Sequence, residues 1–322
     1  MLGAMLAILS AASFAATNAV GRRGVVTGTP AQGMVLSNPV GVLCFVVVAA
    51  LSGVIVRIGE FPPVAAAWMA AVGVLHFVVG RYANFRANQC AGTNLTAPVM
   101  QLNSVVTLIL AVAVLREPCT VLQVVGGVAM VSGAFITQRQ QIAASGAQVA
   151  FSPRVAEGVL FALLAALAYG TSPIMTRTAL QSTGPSGAIL GGLIAYGAAT
   201  AAVTVMVLSW TSLRRNVLSV KRDSIGWFVS SGVLVAMAQG FLYAALSVAP
   251  ILVVAPLLQL SLVFRFFFAM WLNPEHEVFG VTVVVGTVIS ILGACAVAID
   301  TGLLVEALAV PESMARLLRW RI

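Results

Sequence analysis

Charge is what this chain has least of. Only 8% of its 322 residues are Asp, Glu, Lys or Arg, against 60% that are hydrophobic, which leaves too little polar surface to clothe a water-soluble globule. Acids are rarest, nine in all and spread one or two to a loop, so the clustered carboxylates of a membrane-embedded enzyme are missing. The two histidines, His76 and His276, stand alone, without the spacing of metal ligands. The four cysteines, Cys44, Cys90, Cys119 and Cys295, lie far apart with no CxxC or CxxH pattern; neither a metal site nor a disulfide frame is encoded, and no cofactor is expected. No GxxxxGK(S/T) loop occurs, which argues against an ATP-driven pump in a single chain. The seventeen basic residues give a formal charge of +8, but they are scattered between apolar runs, so nucleic acid is not an expected partner.

What is present is apolar sequence in lengths that fit a bilayer, whose core of about 30 Å needs roughly 20 residues per helix. The runs predict ten spans, at 2–20, 35–56, 64–82, 93–115, 119–136, 158–175, 188–210, 225–247, 251–272 and 278–299. Asn84, Arg86 and Asn88 fall between spans 3 and 4 and read as a loop, and residues 137–153 read as a linker. Glu117-Pro118 and Pro274-Glu275 are start signals for spans 5 and 10. The opening run lacks a basic n-region and has a counterpart in mid-chain, so it reads as a permanent span and not a signal peptide.

That counterpart is part of a duplication. Ala97, Pro98, Gln101 and Leu102 match Ala255, Pro256, Gln259 and Leu260 at a constant offset. Gly126 and Gly133 fall on Gly286 and Gly293, while Gly3, Phe14 and Arg22 fall on Gly158, Tyr169 and Arg177. Five spans is an odd number, so the second copy enters the membrane from the opposite side. The expectation is an all-α membrane protein of ten transmembrane helices as two inverted five-helix repeats: residues 1–137 and 155–300, a linker at 138–154 and a tail at 301–322. Repeats of this kind hold a solute between them near mid-bilayer.

The candidate cavity residues lie on matching faces. Asn94, Pro98 and Gln101 share one side of span 4, and Pro256 and Gln259 repeat the pattern in span 9; proline frees a carbonyl, acceptable at depth only where protein or water meets it. Phe14, Asn18 and Arg22 line one side of span 1, and Tyr169, Pro173 and Arg177 one side of span 6. Snorkelling to headgroups competes with a cavity role for Arg22 and Arg177, as interhelical bonding does for Gln101 and Gln259. Arg265 falls mid-way along span 9, where an arginine costs about 2.5–3.5 kcal/mol on insertion scales. It should face a cavity or partner: either its field favours anionic or carboxylate-bearing solutes, or it pairs with backbone carbonyls at a broken helix. The four paired glycines read as close-packing positions between helices.

These residues resemble the EamA-domain members of the drug/metabolite transporter superfamily. The resemblance rests on the aromatic and basic positions of spans 1 and 6, Pro98 and Pro256, the acids that close spans 4 and 9, and the glycines of spans 5 and 10. Tyr243-Ala244-Ala245-Leu246 is similar to the family's entry to span 9, with Phe85-Arg86-Ala87 a weaker copy, which adds Tyr243 to the candidate cavity. The chain departs from the family pattern at Ala97 and Ala255, where many members carry Glu, and at Phe14 and Tyr169, where tryptophan is common. Substrate identity is therefore not carried over.

The resemblance implies a multi-pass protein of the cell (inner) membrane, alternating access and cytoplasmic termini. The loop-charge count opposes that orientation: ten basic residues, Arg22, Arg23, Arg81, Arg86, Arg139, Arg154, Arg214, Arg215, Lys221 and Arg222, lie opposite the termini, against six on the same side,. Arginines that line a cavity do not count in that balance, and the family arrangement is preferred. The expected function is secondary transport of small anionic or zwitterionic metabolites, with export implied by the resemblance; the rival readings are a membrane-embedded enzyme and a non-transporting lipid-binding or scaffold protein. The expected partners are a small solute and the lipid bilayer, and a monomer suffices.

Overall fold

The computed structural model describes residues 2–115, 120–143, 153–180, 183–248, 257, 258, 260–276 and 280–298. Its elements are α1 (Leu2–Thr27), α2 (Pro30–Leu51), α3 (Pro63–Val72), α4 (Arg81–Met100), α5 (Asn103–Leu115), α6 (Val121–Ala143), α7 (Val155–Leu180), α8 (Gly184–Ser209), α9 (Thr211–Leu218), α10 (Arg222–Val248), α11 (Ser261–Leu272) and α12 (Val281–Ala298). A π-helical turn, Gly73–Gly80, joins α3 to α4 without a break. No strand occurs among the described residues. Six helical stretches are long and apolar enough to cross a membrane, and Val121–Gly133, Ser261–Leu272 and Val281–Ala296 are shorter apolar helices. Large apolar side chains such as Leu43, Val47 and Leu51 of α2 point outward at four-residue intervals, which is how a helix meets lipid.

One of those stretches, Pro63–Val114, is 52 residues long, far beyond the thickness of a bilayer. It is two antiparallel arms. Gly92 has φ 80 and ψ 166, a conformation essentially reserved for glycine, and α7 records the reversal. Near its start Gly158 abuts Ala91 and Ala87; further along, Ala162 and Ala165 pack with both Ala83 and Met100; beyond them Gly80 and Asn103 flank Tyr169 and Gly170. As α7 advances, its neighbours therefore descend from 91 to 80 on one arm and climb from 100 to 103 on the other.

This corrects the boundary expected between spans 3 and 4. Asn84, Arg86 and Asn88 are helical, and the first arm ends at Gly92. A second correction concerns α6, whose start is a capping box: Thr120 N–H donates to Gln123 Oε1 at 2.9 Å and Gln123 N–H to Thr120 Oγ1 at 3.4 Å,. Its end, Ala143, lies beyond the expected start of the linker. Thr29 and Gln32 form the same device at α2. Glu275 lies in a short 3-10 turn ahead of α12 and not at the helix start. Glu117 and Pro118 fall outside the described residues.

Packing exchanges symmetrically between the halves. α1 lies on α10, as α7 lies on the α3–α4 arm; α1 touches α11, as α7 touches α5; α2 meets α8, and α6 meets α12. The α6–α12 seam shows the symmetry in single atoms. A Cβ on Gly133 would sit 2.5 Å from the Gly286 carbonyl oxygen, and one on Gly293 would sit 2.5 Å from that of Gly126. Replacing Gly133 or Gly293 by Ala is expected to destabilise the protein by about 1–3 kcal/mol through overpacking. Gly127→Ala, whose Cβ would find only Val105 at 3.9 Å, should be tolerated. Thermal unfolding in detergent checks both; equal melting points for the three variants would refute the seam.

Candidate functional site

The polar side chains of α4 form a ladder that crosses the bundle. Arg81, Asn84 and Asn88 share one helix face by spacing. Asn88 Nδ2 donates to Asn84 Oδ1 at 2.9 Å and reaches Asn18 Oδ1 of α1 at 3.4 Å. Thr96 shares its hydroxyl proton between Asn88 Oδ1 and the Gly92 carbonyl, both at 2.8 Å. Asn84 Nδ2 points to the Tyr169 hydroxyl of α7 at 3.5 Å. The ladder thus joins α1 and α4 of the first half to α7 of the second. His76 extends it: its ring centroid lies 4.5 Å from that of Tyr169, and Nδ1 lies 3.0 Å from Ser172 Oγ. Ser172 commits its own proton to the Ala168 carbonyl at 2.6 Å. The serine oxygen therefore accepts, and the imidazole carries its hydrogen on Nδ1.

Two guanidiniums flank this ladder, and no carboxylate among the described residues pairs with either. Arg81 is buried; its Nε donates to Ser37 Oγ at 2.7 Å, Nη2 reaches Ser231 O and Oγ at 3.3 Å, and the group lies 5.1 Å from the Phe85 ring. Both serines give their protons to backbone carbonyls, of Gly33 and Thr17, and so turn lone pairs toward Arg81. Arg265 of α11 is half-buried. Its Nη1 meets only the soft sulfur of Met100, at 3.8 Å, and its Nε is buried without a hydrogen-bond partner. An unmatched cation in an apolar setting is costly.

One end of the bundle is closed. Arg22, 2% exposed, donates to the carbonyls of Gln89 at 2.9 Å and His276 at 2.8 Å, linking α1 to the Gly92 reversal and to the connection before α12. Asn273 Nδ2 donates to the Ala19 carbonyl at 2.9 Å, and Gln89 Nε2 reaches the carbonyls of Val25 and Gly28. Glu157 holds Arg86 and Arg154 together. Gln32 Nε2 donates to the Asn216 carbonyl at 2.6 Å, drawing α9 over the same end. Burial, and then the Arg22 and Arg23 charges, hold the His276 imidazole below its ordinary value of 6.5. The closed end thus favours neutral His276, and this contribution fades as pH falls below the ordinary histidine range. Toward the other end, Phe14 is half-buried and Pro173 is exposed on the Tyr169 side of α7, opposite the outward stripe of Leu160, Leu164 and Leu167.

Of the residues singled out in the sequence, Asn18 and Tyr169 join the ladder, Arg22 locks the closed end, and Arg265 sits beside Met100, next to the buried Gln101. Snorkelling of Arg22 is overturned, because its guanidinium is spent on backbone carbonyls inside the protein. Asn94 and Pro98 lie in a segment, 93–100, that is buried on every side, so they brace the second arm from within. Pro256 and Gln259, and the side chains of Arg177 and Tyr243, fall outside the described residues.

Sequence reasoning missed Arg81, Asn84, Asn88 and Gln89 by treating their stretch as a loop and edge. The available signal was the i, i+3, i+7 spacing of Arg81, Asn84 and Asn88, with no proline or glycine between Gly80 and Gly92. Replacing Asn88 by Val removes the central rung and is expected to cost about 1–2 kcal/mol, read as a lower melting temperature. Asn18→Val, which removes only the long 3.4 Å contact to Asn88 and a local helix bond, should cost less. The reverse order would refute the ladder.

No curated protein sequence matches the chain. A solved crystal structure, titled only "Crystal structure of protein", aligns over 95% of this chain and 99% of its own with a TM-score of 0.52 at 16% identity, a likeness of fold. Residues 1–139 match the EamA-like transporter family. That match falls on the arms that carry the first-half residues of the ladder, and six helical stretches long and apolar enough to cross a bilayer mark the chain as a multi-pass membrane protein.

Proposed function

We propose that the chain is a secondary transporter that moves small anionic or zwitterionic metabolites across the cell (inner) membrane by alternating access. The observation that carries this reading is a polar ladder spanning both halves, closed at one end by Arg22 and bordered toward the other by the accessible faces of Phe14 and Pro173. The two inverted repeats, 1–137 and 155–300, supply equivalent helices on either side, so exchanging their roles would close one end and open the other. Guanidiniums and amides without a carboxylate suit solutes that bring negative charge.

Orientation follows the family arrangement, with the termini cytoplasmic. Of the ten basic residues counted opposite the termini, Arg22 and Arg81 are buried and Arg86 is tied to Glu157, which leaves seven against six. The open side then faces the cytoplasm, where an exporter loads. Protection of a C-terminal tag from protease added to intact cells checks this; digestion of the tag would reverse it.

The closed end is tested with Cys90, which is 1% exposed and lies beside the reversal. In a background with Cys44, Cys119 and Cys295 replaced by Ser, maleimide labelling of Cys90 is expected to be slow. Arg22→Ala should speed it about tenfold for each ~1.4 kcal/mol of closure lost. Unchanged labelling would sink the gate. Purified protein in liposomes should show saturable flux of at least one anionic or zwitterionic metabolite, and flux of cationic drugs alone would overturn the substrate reading.

A further inference from the structure

Arg22, Arg81 and Arg265 reach into the interior, and their partners sort them. Arg22 is matched by backbone carbonyls and Arg81 by serine oxygens and an aromatic ring. Arg265 is different: among the described residues no oxygen receives any of its N–H groups, and Met100 sulfur is its sole hydrogen-bond contact. The described acids do not approach it, since Glu157 holds Arg86 and Arg154, and Glu60, Asp223 and Glu275 lie on exposed connections or helix ends.

Tyr169 packs against the apolar cluster that contains Met100, the residue whose sulfur Arg265 contacts. Its hydroxyl oxygen is approached by the Asn84 amide at 3.5 Å. A phenol that accepts there keeps its own O–H to offer. Among the described residues, the surroundings of Arg265 thus hold donors, a guanidinium fork and a phenolic O–H, with the Met100 sulfur as the acceptor the fork meets. A donor-lined place excludes ammonium groups, which bring only further donors, and matches a group that brings two adjacent acceptor oxygens and negative charge.

We propose that Arg265, with the Tyr169 hydroxyl, forms a subsite for a single oxyanion, carboxylate or phosphate, and that it selects solutes of net negative charge over zwitterions. An α-amino group on the same solute would lie in the combined field of Arg265 and Arg81 with no carboxylate to receive it. The inference rests on the transporter reading only for the ligand being cargo; binding itself is independent of flux.

The test is a thermal-shift titration of the purified full chain in detergent with lactate, inorganic phosphate, alanine and putrescine, at constant ionic strength. Lactate or phosphate is expected to raise the melting temperature, with alanine and putrescine inert. Whichever anion acts names the class: lactate alone points to carboxylates, phosphate alone to phosphate monoesters. Arg265→Gln should weaken the response at least about tenfold, Arg265→Lys should retain part of it because the charge stays while the fork is lost, and Tyr169→Phe should weaken it by less than Arg265→Gln.

An equal response in Arg265→Gln, or stabilisation by putrescine but by neither anion, overturns the subsite. Should Arg265→Gln fail to fold, the wild-type ligand series and the Lys and Phe variants still decide. Anion binding without flux in liposomes sinks the transporter reading and leaves the subsite standing. Flux of solutes that ignores both their charge and the Arg265 substitutions does the reverse.

Discussion

Guanidinium groups inside a lipid-embedded helix bundle impose the constraint on which the rest of the structure depends. A charge at that depth has to be surrounded by oxygens or rings that the chain itself supplies. Arg81 obtains them from Ser37 on α2 and Ser231 on α10, so three helices from both halves must meet at one level. The serines, in turn, must have carbonyls of their own to bond, and find them on α2 and α1. Each requirement recruits another helix, until the buried cation has dictated the neighbours of most of the inner wall.

The same logic separates the two ends of the bundle. Where Arg22, Gln89 and Asn273 find carbonyls, helices are pinned and the interior is shut. Around Arg265 the described residues offer sulfur and leave a donor unfilled. Polar groups that find partners across helices act here as closures. His76 is an intermediate case, its imidazole held in one tautomer by Ser172 and tilted against the Tyr169 ring, which braces the phenol at the end of the ladder.

How much of this could be read from the residues alone follows from what hydropathy measures. Long apolar runs such as α1, α2, α8 and α10 face lipid on one side and protein on the other, and both environments demand the same residues, so those helices were legible. The glycine pairs were legible too, because a missing side chain at matched positions in two copies has few uses beyond close contact. The stretch from Arg81 to Cys90 was not, because an average over its polar residues looks like a loop whether the polarity faces water or a partner helix. Partners such as Ser231 for Arg81, or His276 for Arg22, are 150 and 254 residues away in sequence, and nothing local announces them.

The seam between α6 and α12 has a mechanical meaning. With a backbone oxygen 2.5 Å from where a Cβ would stand at Gly133 and at Gly293, these two helices interlock like a mortise joint. They are a fixed post, one upright from each copy. If the two copies rock against each other, this seam is the contact least able to change, and the adjustment falls to helices that pack less closely.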